Sequence, residues 1–77
     1  MKVRYIGKTF GVDALTNGRE YECLGVEAPF IRVIDDSEED YLYSASRPAP
    51  LDGENEGGRW EIVEDNEQGI LSKVILQ

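Results

Sequence analysis

Apolar residues recur at every second position in several short runs along this chain, separated by glycine, proline and acidic stretches. Val3-Arg4-Tyr5-Ile6 alternates and stops at Gly7, which predicts a first strand. The stretch 7–18 has no sustained period, yet it carries Phe10, Val12 and Leu15. A loop holding that many apolar groups is expected to fold back and pack on the domain. Asn17-Gly18 closes it as a turn, since both residues tolerate positive φ. In the second strand, 19–27, Tyr21 and Cys23 share one face, and Leu24 and Val26 fall on the other. A two-residue period that changes phase predicts a bulge at Cys23-Leu24-Gly25. Bends of this kind close small barrels. Ala28-Pro29 interrupts the ladder, because proline has no N–H to donate.

The sharpest pattern runs from Phe30 to Tyr43, where two apolar strands flank a turn made almost wholly of acids. Ile31 and Val33 are assigned to the core face, with Phe30, Arg32 and Ile34 pointing the other way. Residues 36–39 form the turn. Asp40-Tyr41-Leu42-Tyr43 is the fourth strand, with Leu42 facing opposite to Tyr41 and Tyr43. Ile31, Val33 and Leu42 are expected to hold the barrel together. Residues 44–58 change composition to proline, glycine, serine and acids, with Leu51 as the only large apolar side chain. Such a length exceeds ordinary connections, so this inserted loop is expected to be functional or mobile. Arg59 to Glu64 resumes the alternation as a fifth strand, and 65–69 is a polar turn. The apolar spacing in 70–76 suits a short helix or a buried strand. The β-branched pair Val74-Ile75 favours an extended strand.

Five or six short strands with turn signals between them indicate one all-β domain over residues 1–77, a small SH3-like barrel of antiparallel strands. The inserted loop lies at about 44–58 and a C-terminal extension at about 65–77. A chain of 77 residues buries only roughly 60–65% of its unfolded surface, so every large apolar side chain matters.

Charge narrows the partners. Sixteen acids against eight bases leave a formal net charge of −8. Nucleic acid and anionic membrane surfaces are polyanions that would repel such a chain, so a basic protein partner fits better. Acidity also serves plain solubility. No apolar run approaches the ~20 residues of a membrane helix, and the segment after Met1 has no signal-peptide apolar core. A cytoplasmic location is expected. Cys23 is the single cysteine and there is no histidine. An internal disulfide is therefore impossible, and no zinc or other cofactor site is expected.

At Tyr5-Ile6-Gly7-Lys8, Leu15-Thr16-Asn17-Gly18, Tyr21, Arg32, Asp35-Asp36, Glu39-Asp40-Tyr41-Leu42-Tyr43 and Ile62-Val63 the chain resembles a group of small, functionally unassigned proteins of Gram-positive bacteria and their phages. The resemblance implies an SH3-like barrel and brings no activity with it. The chain departs from that pattern in three places. Glu38 stands where the pattern leads one to expect glycine, the segment before the last strand is longer, and the tail looks like an extension.

The acids of 35–40 lack EF-hand spacing and its required glycine, so a solvated, charged hairpin turn is the better account than a cation site. Acid–base catalysis needs a pocket that shifts a carboxyl, and Cys23 has no histidine to activate it. Enzymatic function is not expected, and no catalytic residue is assigned. The glycines around Lys8 do not make a phosphate loop. Phe30, Tyr41, Tyr43 and Trp60 are the candidate protein-binding surface, an aromatic face beside acids with Arg32 as a polar anchor. SH3 domains take proline-rich basic peptides on such a surface. The competing account is that these rings pack among themselves in the core. Three roles remain open at this point. They are a protein-interaction module, an assembly protein self-associating through its C-terminal tail, and an acidic mimic of nucleic acid.

Overall fold

The alternation seen along the chain becomes five strands, each burying one face. The structure, a computed structural model, describes residues 1–9, 14–48 and 58–76. Its strands are β1 (Lys2–Ile6), β2 (Glu20–Glu27), β3 (Phe30–Ile34), β4 (Asp40–Ser44) and β5 (Arg59–Glu64), followed by one helix, α1 (Ile70–Ile75). They form a single sheet in the order β4-β3-β2-β1-β5, antiparallel throughout. A meander of β2, β3 and β4, with β1 pairing both β2 and β5, is the expected small SH3-like barrel. Phe10 and Val12 of the folded-back loop lie outside the described residues, as does most of the 44–58 insertion, Leu51 included. Among the described residues no helix is long and apolar enough to cross a membrane.

Register follows the phase change read along β2. Cys23 pairs with Val33 and Gly25 with Arg32, so Leu24 is the extra residue of a bulge. The bulge leaves Tyr21 and Cys23 inside, and beyond it Val26 packs on the core as well. Without it, Val26 would face solvent. The core comprises Val3, Tyr5, Leu15, Tyr21, Cys23, Ile31, Val33, Ala45, Trp60 and Leu71. Leu15 is fully buried, so at least this end of the loop packs on the domain as its apolar content requires. The Asn17-Gly18 turn forms with Gly18 at φ 81° and the Arg19 amide on the Thr16 carbonyl at 3.1 Å.

Trp60 is the hub of the interior. Tyr5, Tyr21 and Tyr43 meet it edge-on, with centroids 5.8, 6.3 and 6.2 Å away, and such pairs add about 0.5–1.5 kcal/mol each beyond their buried area. The indole Nε1 donates to the Ser44 carbonyl at 3.0 Å. That bond ties β5 to β4, the two ends of the sheet order.

Two expectations are corrected. Leu42 does not sit in the core with Ile31 and Val33. It pairs with Arg32, and paired residues share a face, so it lies outside and is 42% exposed. The tail is a helix and not a sixth strand. Leu71, Val74 and Ile75 have the three- and four-residue spacing of one helical face, and all three turn toward the core. The helix start is also provided for. Gly69 adopts φ 67°, and the Asp65 carboxylate accepts the Leu71 and Ser72 amides, each at 3.0 Å, and the Ser72 hydroxyl at 2.8 Å. Burial of one face and satisfied amides outweigh the β-preference of Val74-Ile75, which is worth at most ~1 kcal/mol.

Candidate functional site

Local chemistry at the β3–β4 turn decides what its acids are free to do. Asp35 is buried, at 6% exposure. One of its oxygens accepts the Ser37 amide at 2.9 Å and the Ser37 hydroxyl, and the other accepts the Tyr43 hydroxyl at 2.7 Å. Burial, helped by the Asp35 carboxylate, pushes the Tyr43 hydroxyl far above its ordinary pKa. Asp36 reaches across to the other side of the barrel. It accepts the Tyr21 hydroxyl and the Thr16 hydroxyl, each at 2.8 Å, and pairs with Arg19 at 3.1 Å. The Tyr21 oxygen in turn accepts the Thr16 amide at 2.7 Å, and the Asp36 amide donates to the Ala14 carbonyl at 3.0 Å. Burial raises the Tyr21 hydroxyl's pKa against the opposing pull of the Thr16 amide.

Of the five acids, Asp36 thus fastens the hairpin tip to residues 14–21, and Asp35 holds the turn to Tyr43 of β4. Glu39 accepts the Tyr41 hydroxyl at 3.0 Å, and Asp40 pairs with Arg32. Among the described residues no three histidine, cysteine or acidic side chains gather as a metal site. Glu38 is the one non-glycine at positive φ among them, at 68°. The Cys23 thiol is buried in the core, and that burial raises its pKa.

The proposed aromatic surface is divided by the register. Arg32 pairs with Leu42 and Phe30 with Ser44 on the outer face, whereas Tyr43 pairs with Ile31 and Tyr41 with Val33 on the core face. Phe30 and Arg32 therefore lie together outside. Tyr43 is half-buried against the core. Tyr41 lies on the same face near the turn, and there its ring stays exposed. Trp60 is 4% exposed and belongs to the interior. Its assignment to the surface is corrected, because three tyrosines enclose it and its only polar atom is bonded within the barrel.

What the outer face does present is an apolar group around a paired cation. Phe30 is 43%, Leu24 53% and Leu42 42% exposed, with Leu24 of β2 and Leu42 of β4 on either side of Arg32. At the bulge Leu24 and Gly25 together oppose Arg32. The Arg32 guanidinium donates through Nε to Glu27 at 2.8 Å and through a terminal nitrogen to Asp40 at 2.9 Å. Those two carboxylates, Glu27 first, raise its pKa further. Leu24 and Leu42 are the residues that sequence reasoning left off this surface. The phase change around Cys23 was the available signal for Leu24. For Leu42 it was the opposite facing to Tyr41 and Tyr43, read with the wrong face assigned to the core.

A small SH3-like barrel with an apolar, acid-rimmed outer face is the class of protein that fold and site define. Compared with known proteins, the chain matches no family model, no curated protein and no solved structure.

Proposed function

We propose that this chain is a non-enzymatic protein-interaction module of the cytoplasm, related to the small bacterial and phage barrels it resembles. It takes a basic, partly apolar segment of another protein on the outer face of β2, β3 and β4. The observation that carries this reading is the exposure of Leu24, Phe30 and Leu42 around one arginine on a single face. Exposed apolar residues are ordinary when scattered, and a contiguous group marks an interaction surface. Charge supports the partner's chemistry. Glu27 and Asp40 flank the group, and the whole chain carries −8. Lysine or arginine beside an apolar anchor would meet these carboxylates, and the long-range field would steer its approach.

The test is a pull-down followed by titration of the recovered protein against wild type, Phe30→Ala and Leu42→Ala. Each substitution is expected to weaken binding by about 2 kcal/mol, as anchors do, and rising salt is expected to weaken it further. A recovered partner whose affinity ignores both substitutions, or is insensitive to salt, would overturn the reading.

A further inference from the structure

The turn leading into β2 holds the only Asn-Gly pair of the chain, at positions 17 and 18. Asparagine is chemically labile. Its side-chain amide is lost when the backbone nitrogen of the next residue attacks the side-chain carbonyl carbon, and a following glycine leaves that nitrogen unhindered. Both residues are exposed, and a Cβ placed on Gly18 would meet nothing within 4 Å. Solvent therefore reaches the reacting atoms. The fold nevertheless occupies the groups that must react. The Gly18 amide donates to the Tyr5 carbonyl at 2.7 Å. The Asn17 side-chain oxygen accepts the Gly7 amide at 3.1 Å, and the Asn17 amide donates to the Thr9 hydroxyl at 3.0 Å. The nucleophile is thus tied to β1, and the carbonyl it must attack is tied to the residue just after β1.

We propose that Asn17 is a deamidation site of the folded protein, gated by local opening of this turn. Once the Gly18 amide leaves Tyr5, it loses its proton to solvent base. Its nitrogen bonds to the Asn17 side-chain carbon. The bond from that carbon to the side-chain nitrogen breaks, and ammonia leaves after taking a proton from water. The product is a cyclic imide, which water opens at either carbonyl. Cleavage on the side-chain side gives aspartate. Cleavage on the main-chain side gives isoaspartate, whose backbone is one carbon longer. Exposed loop tips open more readily than core strands, so the gate yields without global unfolding. The two products differ in consequence. Aspartate keeps an oxygen for the Gly7 amide. Isoaspartate lengthens the turn that the Arg19 amide closes on the Thr16 carbonyl at 3.1 Å. Thr16 and Arg19 are also the residues whose side chains hold Asp36. Isoaspartate therefore loosens the clamp on the β3–β4 turn, and aspartate leaves it in place.

Incubation of the native protein at mildly alkaline pH, followed by peptide mass spectrometry and isoaspartate labelling, is expected to show conversion at Asn17. The same chain held unfolded in urea is expected to convert at least about tenfold faster, because the open turn is a minor state of the native protein. Thr9→Ala releases the Asn17 amide at an exposed position. It is expected to speed conversion of the native protein several-fold and to leave the rate in urea unchanged. Gly18→Ala hinders the attacking nitrogen and is expected to slow conversion in urea, where its effect on folding does not enter. Protein carrying isoaspartate is expected to unfold at lower urea than wild type, and Asn17→Asp to unfold where wild type does. A native protein that stays unconverted while the unfolded chain converts fully would overturn the proposal. So would equal rates in the native and unfolded states, a native rate indifferent to Thr9→Ala, a rate in urea indifferent to Gly18→Ala, or isoaspartate-bearing protein as stable as wild type.

Discussion

The indole nitrogen of Trp60 donates to the backbone carbonyl of Ser44 across 3.0 Å, joining the two strands that end the sheet order. No strand ladder between β4 and β5 is found among the described residues, so the indole bond, the aromatic cluster around it and the Gly58 amide on the Pro48 carbonyl at 2.9 Å hold the barrel closed there. Trp60→Phe keeps a ring and removes the donor. It is expected to destabilise the fold by about 2 kcal/mol, combining lost packing with a lost hydrogen bond. Urea denaturation measures it, and an unchanged midpoint would show that the seam is closed by something else.

Glu38 sits at φ 68° in the acidic turn. A left-handed conformation costs an L-residue about 1–2 kcal/mol, and glycine escapes it at the expense of a more flexible unfolded chain. Glu38→Gly is expected to stabilise the protein by about 0.5–1 kcal/mol net. Glu38→Gln keeps the backbone penalty and removes only charge, so it is expected to gain less. Equal gains from both would assign the effect to charge repulsion in the turn.

Tyr21 donates to Asp36 while accepting from the Thr16 amide. Tyr21→Phe leaves both partners short of a bond in a part-buried site, at a cost of about 1–3 kcal/mol. Because the residues form one network, Tyr21→Phe and Asp36→Asn are expected to be non-additive by about 0.5–3 kcal/mol in a double-mutant cycle. Strict additivity would mean the two groups stabilise the fold separately.

Asp65 caps α1, and its acid titration follows from that. Desolvation pushes its carboxyl up, but the bonds from the Leu71 amide, the Ser72 hydroxyl and amide, and the Asn66 amide outweigh it and lower the pKa from 3.8 to about 2. A carboxyl depressed in the folded state stabilises it above the unfolded pKa. That contribution is expected to decline as pH falls below 3.8 and to be gone once pH passes below about 2. Thermal melts of wild type and Asp65→Asn should therefore differ at neutral pH and converge in acid. A gap that persists in acid would assign the cap's effect to something other than its charge.

Much of this was legible along the chain because it is local. Alternation with a period of two marks β1 to β5, and the change of phase at Cys23 marks a bulge because each residue inserted in a strand reverses its facing. Asn17-Gly18 and the acids after Ile34 mark turns through their backbone preferences. Which aromatic residues face outward was not legible. A two-residue period sorts a strand into two faces and does not say which one the rest of the molecule covers. β4 shows this, since Leu42 and the tyrosines alternate as read, while the β3 register and the position of Trp60 decide which set is inside. The helix of the tail was not legible either, and the β-branched pair Val74-Ile75 pointed to a strand instead. The tail's apolar spacing fits two conformations, and Asp65 and Asn66, brought to the helix start by the preceding strand and turn, supply the acceptors that select the helix. The acids of 35–40 could be counted from the sequence, but their roles needed contacts with Thr16, Tyr21 and Tyr43, which the barrel brings to them from other strands and loops. Local backbone preference and periodicity thus determined the elements, and long-range burial and hydrogen bonding decided what each face is for.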